Sequence, residues 1–196
     1  MTERQKNILW LSALFVVLVL FYSKVLFTGK IIRAPDIINE SYWGVIEAKK
    51  LGWQEIFSFV RNVKAAWNIE INSGFTTEGG NTAVHLLMHL KAITFLIPAP
   101  ACVAWTIVLS FYFGACGLYL YCRAINCSRV ASFFAALVFA LSPEMASLIN
   151  AGHVMKIATI SYAPWAFFCL EKGFVTRRIF WFMATGFVLA FQFFNT

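Results

Sequence analysis

Residues 8–27 are apolar apart from Lys24, a run of 20 residues. A helix of that length covers about 30 Å, the thickness of a bilayer's hydrocarbon core. Lipid supplies no hydrogen-bond partners, so a backbone that crosses it has to satisfy its own N–H and C=O groups, and a helix does so within one segment. Apolar runs recur at residues 101–121, 130–148, 157–170 and 179–194. The fold class predicted from this pattern is all-α: a polytopic membrane protein with about five transmembrane helices, forming a single membrane domain over 1–196. Only 13% of residues are charged, against about 25% in an average soluble domain.

Between the first and second spans lies a long polar interval, residues 28–100. Its basic residues (Lys30, Arg33, Lys49, Lys50, Arg61, Lys64) are matched one for one by acidic ones (Asp36, Glu40, Glu47, Glu55, Glu70, Glu78). Ile56, Val60, Val63 and Trp67 recur at helical spacing, which predicts a helix lying along the membrane surface. Gly74 and Gly79-Gly80 break that pattern, so the stretch from Trp67 to Asn81 reads as turn-rich. Residues 83–97 form a short apolar run carrying His85, His89 and Lys91, closed by Pro98 and Pro100. At 15 residues it reads as an interfacial or re-entrant helix rather than a full span.

Charge placement then sets a topology. If 83–97 does not cross, Arg4, Lys6, Arg123, Arg129, Lys172, Arg177 and Arg178 all fall on one side, while the short loop around Lys156 falls on the other. By the positive-inside rule the N-terminus is inside, the 28–100 loop is outside, and the basic residues are orientation signals. The first run has no small-residue cleavage site behind it and reads as a retained signal-anchor. The net charge of +7 follows from these flanking basic residues. It does not call for a nucleic-acid partner, and no nucleotide loop or soluble cofactor motif is present. The five cysteines, Cys102, Cys116, Cys122, Cys127 and Cys169, contain no CxxC pair and read as small apolar packing residues.

The candidates for chemistry lie on the outside. Asp36 follows Pro35 close to the end of the first span, three residues after Arg33. A carboxylate there can accept a proton from a hydroxyl or hold a divalent metal ion; a helix cap or a solvated loop charge is the competing reading. Glu40 lies four residues on, on the same helical face. His153 and Lys156 sit in the short outside loop, where they could face a lipid phosphate or merely anchor the interface. Trp67 and Asn68 could stack on and hydrogen-bond a sugar, although Trp67 also suits a membrane-surface anchor. His85 and His89 are four apart, a spacing able to bind a metal, but no third donor is near, and they read as the polar face of an interfacial helix with no metal site assigned.

Taken in order, several of these features resemble the N-terminal part of the YfhO-type family of bacterial multi-pass membrane proteins, which belong with the GT-C class of glycosyltransferases. They are one span followed by Asp36, Trp67-Asn68 leading to Ser73-Gly74, Gly117-Leu-Tyr119 with Arg123, Ser128-Arg129, the run from Ala135 to Pro143, and Gly152-His153. The sequence departs from the family pattern at Ile69 and at Phe75-Thr76, where proline is usual. Because such proteins are much longer, the resemblance makes this chain a fragment. It implies the bacterial cytoplasmic membrane and inverting transfer of a sugar from a polyprenyl-phosphate donor to an envelope glycan or lipid acceptor on the external face. Asp36 would be the catalytic residue, and Arg33, Glu40, Trp67, Asn68, His153 and Lys156 would bind substrate. A lipid-linked sugar transporter or flippase, and a non-catalytic envelope scaffold, are the alternative readings.

Overall fold

Thr2 starts the first helix. Its hydroxyl accepts from the Gln5 N–H at 3.2 Å while the Gln5 side chain accepts from the Thr2 N–H at 2.8 Å, a reciprocal capping box that satisfies two N–H groups at the helix start. Helix α1 then runs Glu3–Phe21 and continues after a break at Tyr22 as a single turn, α2 (Ser23–Leu26). The structure, a computed structural model, describes residues 2–38, 66–68, 75–77, 97–98 and 100–193, and only the backbone of 66–68 and 75–77. Glu40, His85, His89, the expected surface helix from Ile56 to Val63 and residues 83–96 of the re-entrant segment lie outside the described residues; Trp67, expected at the end of that helix, lies on a strand instead.

Two short strands, β1 (Ala66–Asn68) and β2 (Phe75–Thr77), pair antiparallel with Trp67 opposite Thr76. The stretch read as turn-rich thus contains a small hairpin. Everything else described in regular structure is helical: α3 (Ala101–Ala124), α4 (Arg129–Ala140), α5 (Pro143–Ala151), α6 (Val154–Thr176) and α7 (Ile179–Phe193).

Among the described residues, three segments are long and apolar enough to cross a membrane: Glu3–Phe21, Ala101–Ala124 and Arg129–Ala151. The chain is a helical, polytopic membrane protein. The third segment, expected as one span over 130–148, is interrupted at Leu141-Ser142. Ser142 has extended backbone and its hydroxyl accepts from the Met145 N–H at 3.3 Å, with Pro143 in the first helical position. Proline disfavours helical geometry in the residue before it and is well suited to a helix start, so α5 begins anew. Helix α6 is longer at both ends than the 157–170 run. It keeps its helix through Pro164 and carries Glu171 and Lys172 in its last turns, which lowers its hydropathy. Helix α7 is apolar but spans 15 residues, about 22 Å.

Helix α3 is the centre, two thirds buried. Side-chain contacts give the directions of its neighbours. Asn7 meets Tyr119, Phe15 meets Tyr112 and Phe27 meets Trp105, so α1 runs antiparallel to α3. Gly114 faces Ser161, Gly117 faces Trp165 and Tyr121 faces Phe167, so α6 runs parallel to α3. Phe168 against Trp181 and Tyr162 against Phe191 set α7 antiparallel to α6. Glu3 pairs with Arg129, and Trp10 packs on Phe133, which places the starts of α1 and α4 together. The bundle therefore has two ends. One collects Arg4, Lys6, Arg123, Arg129, Arg177 and Arg178; the other collects Asp36 and the α5–α6 turn.

Buried hydroxyls are satisfied without leaving their own helix. Thr106 and Ser110 on α3, Ser132 on α4 and Ser161 on α6 each donate to the carbonyl four residues back, at 2.7–2.9 Å. Helices α3 and α6 approach closely at Gly117. A Cβ there would lie 2.8 Å from the Trp165 ring. The bare backbone lets the indole stack on Phe113, with centroids 5.1 Å apart, and donate Nε1–H to the Phe113 carbonyl at 2.8 Å. Gly117→Val is expected to lower stability by about 1–3 kcal/mol through overpacking, read as a fall in the thermal midpoint in detergent. Gly186→Ala, where nothing lies within 4 Å, should leave the midpoint unchanged or raise it. Equal behaviour of the two variants would contradict the α3–α6 packing.

Candidate functional site

Asp36 is held by its neighbours. Ala34 and Ile37, at 1% and 0% exposure, belong to the apolar core, and a helical turn begins at Pro35, closed by the Ile38 N–H on the Ala34 carbonyl at 3.0 Å. The carboxylate between them stays 44% exposed. The segment after α2 is thus nailed to the bundle on both sides of a half-exposed acid.

The partner comes from the α5–α6 turn, which is a Schellman motif. Gly152 has φ +89°, its N–H bonds the Ile149 carbonyl at 3.1 Å, and the His153 N–H bonds the Leu148 carbonyl at 2.9 Å. The His153 carbonyl accepts the Ile157 N–H at 3.1 Å and so opens α6. His153 is fixed by its backbone at the junction of two helices, and its Nδ1 lies 3.9 Å from Asp36 Oδ2. That is an ion-pair distance if the imidazole is protonated, and longer than a hydrogen bond. Glycine at 152 is required twice over: the left-handed backbone disfavours a side chain, and a Cβ would sit 2.7 Å from the Asp36 Cβ.

Of the residues predicted for the site, Asp36 and His153 are brought together. Arg33 and Lys156 are exposed at the same end, but among the described residues no ion pair joins either to Asp36. Trp67 and Asn68 lie on β1, paired with Thr76 and Phe75. Two positioning features escaped the sequence reading: the buried pair Ala34 and Ile37, and the contact of Gly152 with Asp36. Gly152 stands directly after an apolar helical run, the ordinary place for a left-handed helix stop.

Chemically, the pair offers a carboxylate able to accept a proton and an imidazole able to orient it or face an anion. Among the described residues no group of three His, Cys, Asp or Glu could hold a metal ion. Asp36 and His153 supply two donors, fewer than the three protein ligands usual in catalytic zinc sites, so no step is assigned to a divalent ion.

No family model matches the chain, and no curated protein and no solved structure matches it. The YfhO-type resemblance rests on the ordered residues alone.

Gly152→Ala is expected to cost about 1–2 kcal/mol from the left-handed backbone alone, with a further loss from displacing Asp36. A thermal midpoint unchanged from the parent would contradict the turn described here.

Proposed function

We propose that this chain is the N-terminal part of a glycosyltransferase-like protein of the bacterial cytoplasmic membrane, oriented with its N-terminus inside. It transfers a sugar from a polyprenyl-phosphate donor to an envelope glycan or lipid acceptor on the external face. The observation that carries the reading is the meeting of Asp36 with His153 at the end of the bundle opposite Arg123 and Arg129.

On this reading Asp36 is the general base that takes the proton from the acceptor hydroxyl as the hydroxyl oxygen attacks the anomeric carbon. The polyprenyl phosphate leaves with the electron pair of the broken glycosidic bond. His153 and Lys156 face that departing phosphate, where cationic groups favour the leaving anion. Arg33 adds charge at the same end, and Glu40, Trp67 and Asn68 supply acceptor contacts. Half-exposure of Asp36 and His153 leaves both open to a substrate at the interface.

The test is a transfer assay with the complete protein in proteoliposomes, using a labelled polyprenyl-phosphate sugar and envelope lipid or glycan acceptors. Asp36→Asn should reduce transfer by about 10²–10⁴-fold, the range for losing a general base, while membrane insertion is retained. Full activity of that variant would end the catalytic role. Movement of the labelled lipid across the bilayer with no new glycoside formed would favour a flippase instead.

A further inference from the structure

We propose that Cys122 and Cys127 are a reversible dithiol–disulfide pair built into the turn between α3 and α4. A search for CxxC passes over them, because they are five residues apart. The way α3 ends brings them together. Asn126 has φ 65°, in the left-handed region. The Asn126 N–H bonds the Arg123 carbonyl at 3.3 Å and the Cys127 N–H bonds the Cys122 carbonyl at 2.9 Å. These are the two hydrogen bonds of a Schellman motif, which folds the second residue past the helix back onto the last turn, usually with an apolar contact between the two positions. Here both positions are cysteine, so the turn itself folds Cys127 back toward Cys122.

The other three cysteines differ. Cys102, Cys116 and Cys169 are buried, whereas Cys122 and Cys127 are only partly covered. The turn itself is open to solvent, with Ile125, Asn126 and Ser128 exposed. It sits at the basic end, where the Arg123 guanidinium donates to the Cys127 carbonyl and Arg129 pairs with Glu3 of α1. Water-soluble reagents can reach a site so placed, and a buried structural cysteine offers them nothing.

The oxidant is a low-molecular-weight disulfide. One cysteine, as thiolate, attacks a sulfur of that disulfide; a mixed disulfide forms and the first small thiolate leaves. The second cysteine attacks the protein-side sulfur of the mixed disulfide, the Cys122–Cys127 bond closes, and the second small thiolate leaves. The two protons of the cysteine thiols end on the two leaving thiolates. The protein loses two electrons and the small disulfide gains them. The bond staples the end of α3 to the start of α4, next to the residues that hold the N-terminus of α1. This inference stands apart from the proposed transferase activity.

The test uses the full chain in lipid nanodiscs equilibrated with glutathione buffers of stepped potential, then alkylated and digested with trypsin. Cleavage after Arg123 and Arg129 separates the two cysteines, so their disulfide joins a peptide ending at Arg123 to the peptide Ala124–Arg129, and fragmentation locates the bond. The expected result is a Cys122–Cys127 cross-link that forms in oxidised glutathione and reverses in dithiothreitol. Asn126→Val, which disfavours the left-handed turn, should lower the effective concentration of the pair by about tenfold, and Asn126→Gly should preserve it. Separate glutathione adducts on the two cysteines without a cross-link, or a cross-link to another cysteine, would overturn the proposal. So would an effective concentration in Asn126→Val equal to that of the parent. Location of the bond in the unsubstituted chain decides the matter even where a variant fails to fold.

Discussion

Lipid accepts no hydrogen bonds, and that constraint shapes this molecule from α1 to α7. Inside the bundle each buried hydroxyl of Thr106, Ser110, Ser132 and Ser161 turns back onto its own helix. The Trp165 indole finds the Phe113 carbonyl only because Gly117 has no side chain. Polar groups that cannot be settled in this way are driven to the helix ends. There the chain has to stop a helix, satisfy its last carbonyls and reverse, and at both ends it does so with a Schellman turn: Asn126-Cys127 at one, Gly152-His153 at the other.

Those two turns give the ends their different characters. At the basic end, Arg123 and Arg129 close the α3–α4 connection and reach Glu3 of α1. At the other, the turn delivers His153 to Asp36, and burial of Ala34 and Ile37 holds the acid in place. The Asp36–His153 pair and the basic cluster of Arg123 and Arg129 are separated by the alternation of helix direction: α1 and α4 leave the basic end, α3 and α6 return to it. A residue's place along its helix is enough to assign it to one end or the other.

Much of this was legible in the sequence. Hydropathy marked the apolar helices, and the count of crossings before Asp36 and His153 already put them at one end. The break at Leu141-Ser142 was written in Ser142-Pro143, but the apolar residues on both sides concealed it. The ends of α6 were hidden because Lys156, Glu171 and Lys172 depress hydropathy without interrupting helical geometry. Several residues that carried the family resemblance turn out to have packing duties. Gly117 admits Trp165, buried Tyr119 bonds Asn7, Arg123 bonds the Cys127 carbonyl and Ser128 caps α4. The 3.9 Å approach of His153 to Asp36 and the folding of Cys127 back onto the last turn of α3 could not be read from spacing, since each depends on one residue adopting a left-handed backbone.

The sharing of one membrane face by Asp36 and His153, with the α3–α4 turn on the other, is the claim on which the site depends. It is tested most directly by single cysteines at positions 36, 153 and 125, on a background with the native cysteines replaced, labelled in intact cells with a membrane-impermeant thiol reagent. Labelling at 36 and 153 with protection at 125 is the predicted result. Labelling at 36 and 125 with protection at 153 would place the acid and the histidine on opposite sides of the membrane and contradict a joint site.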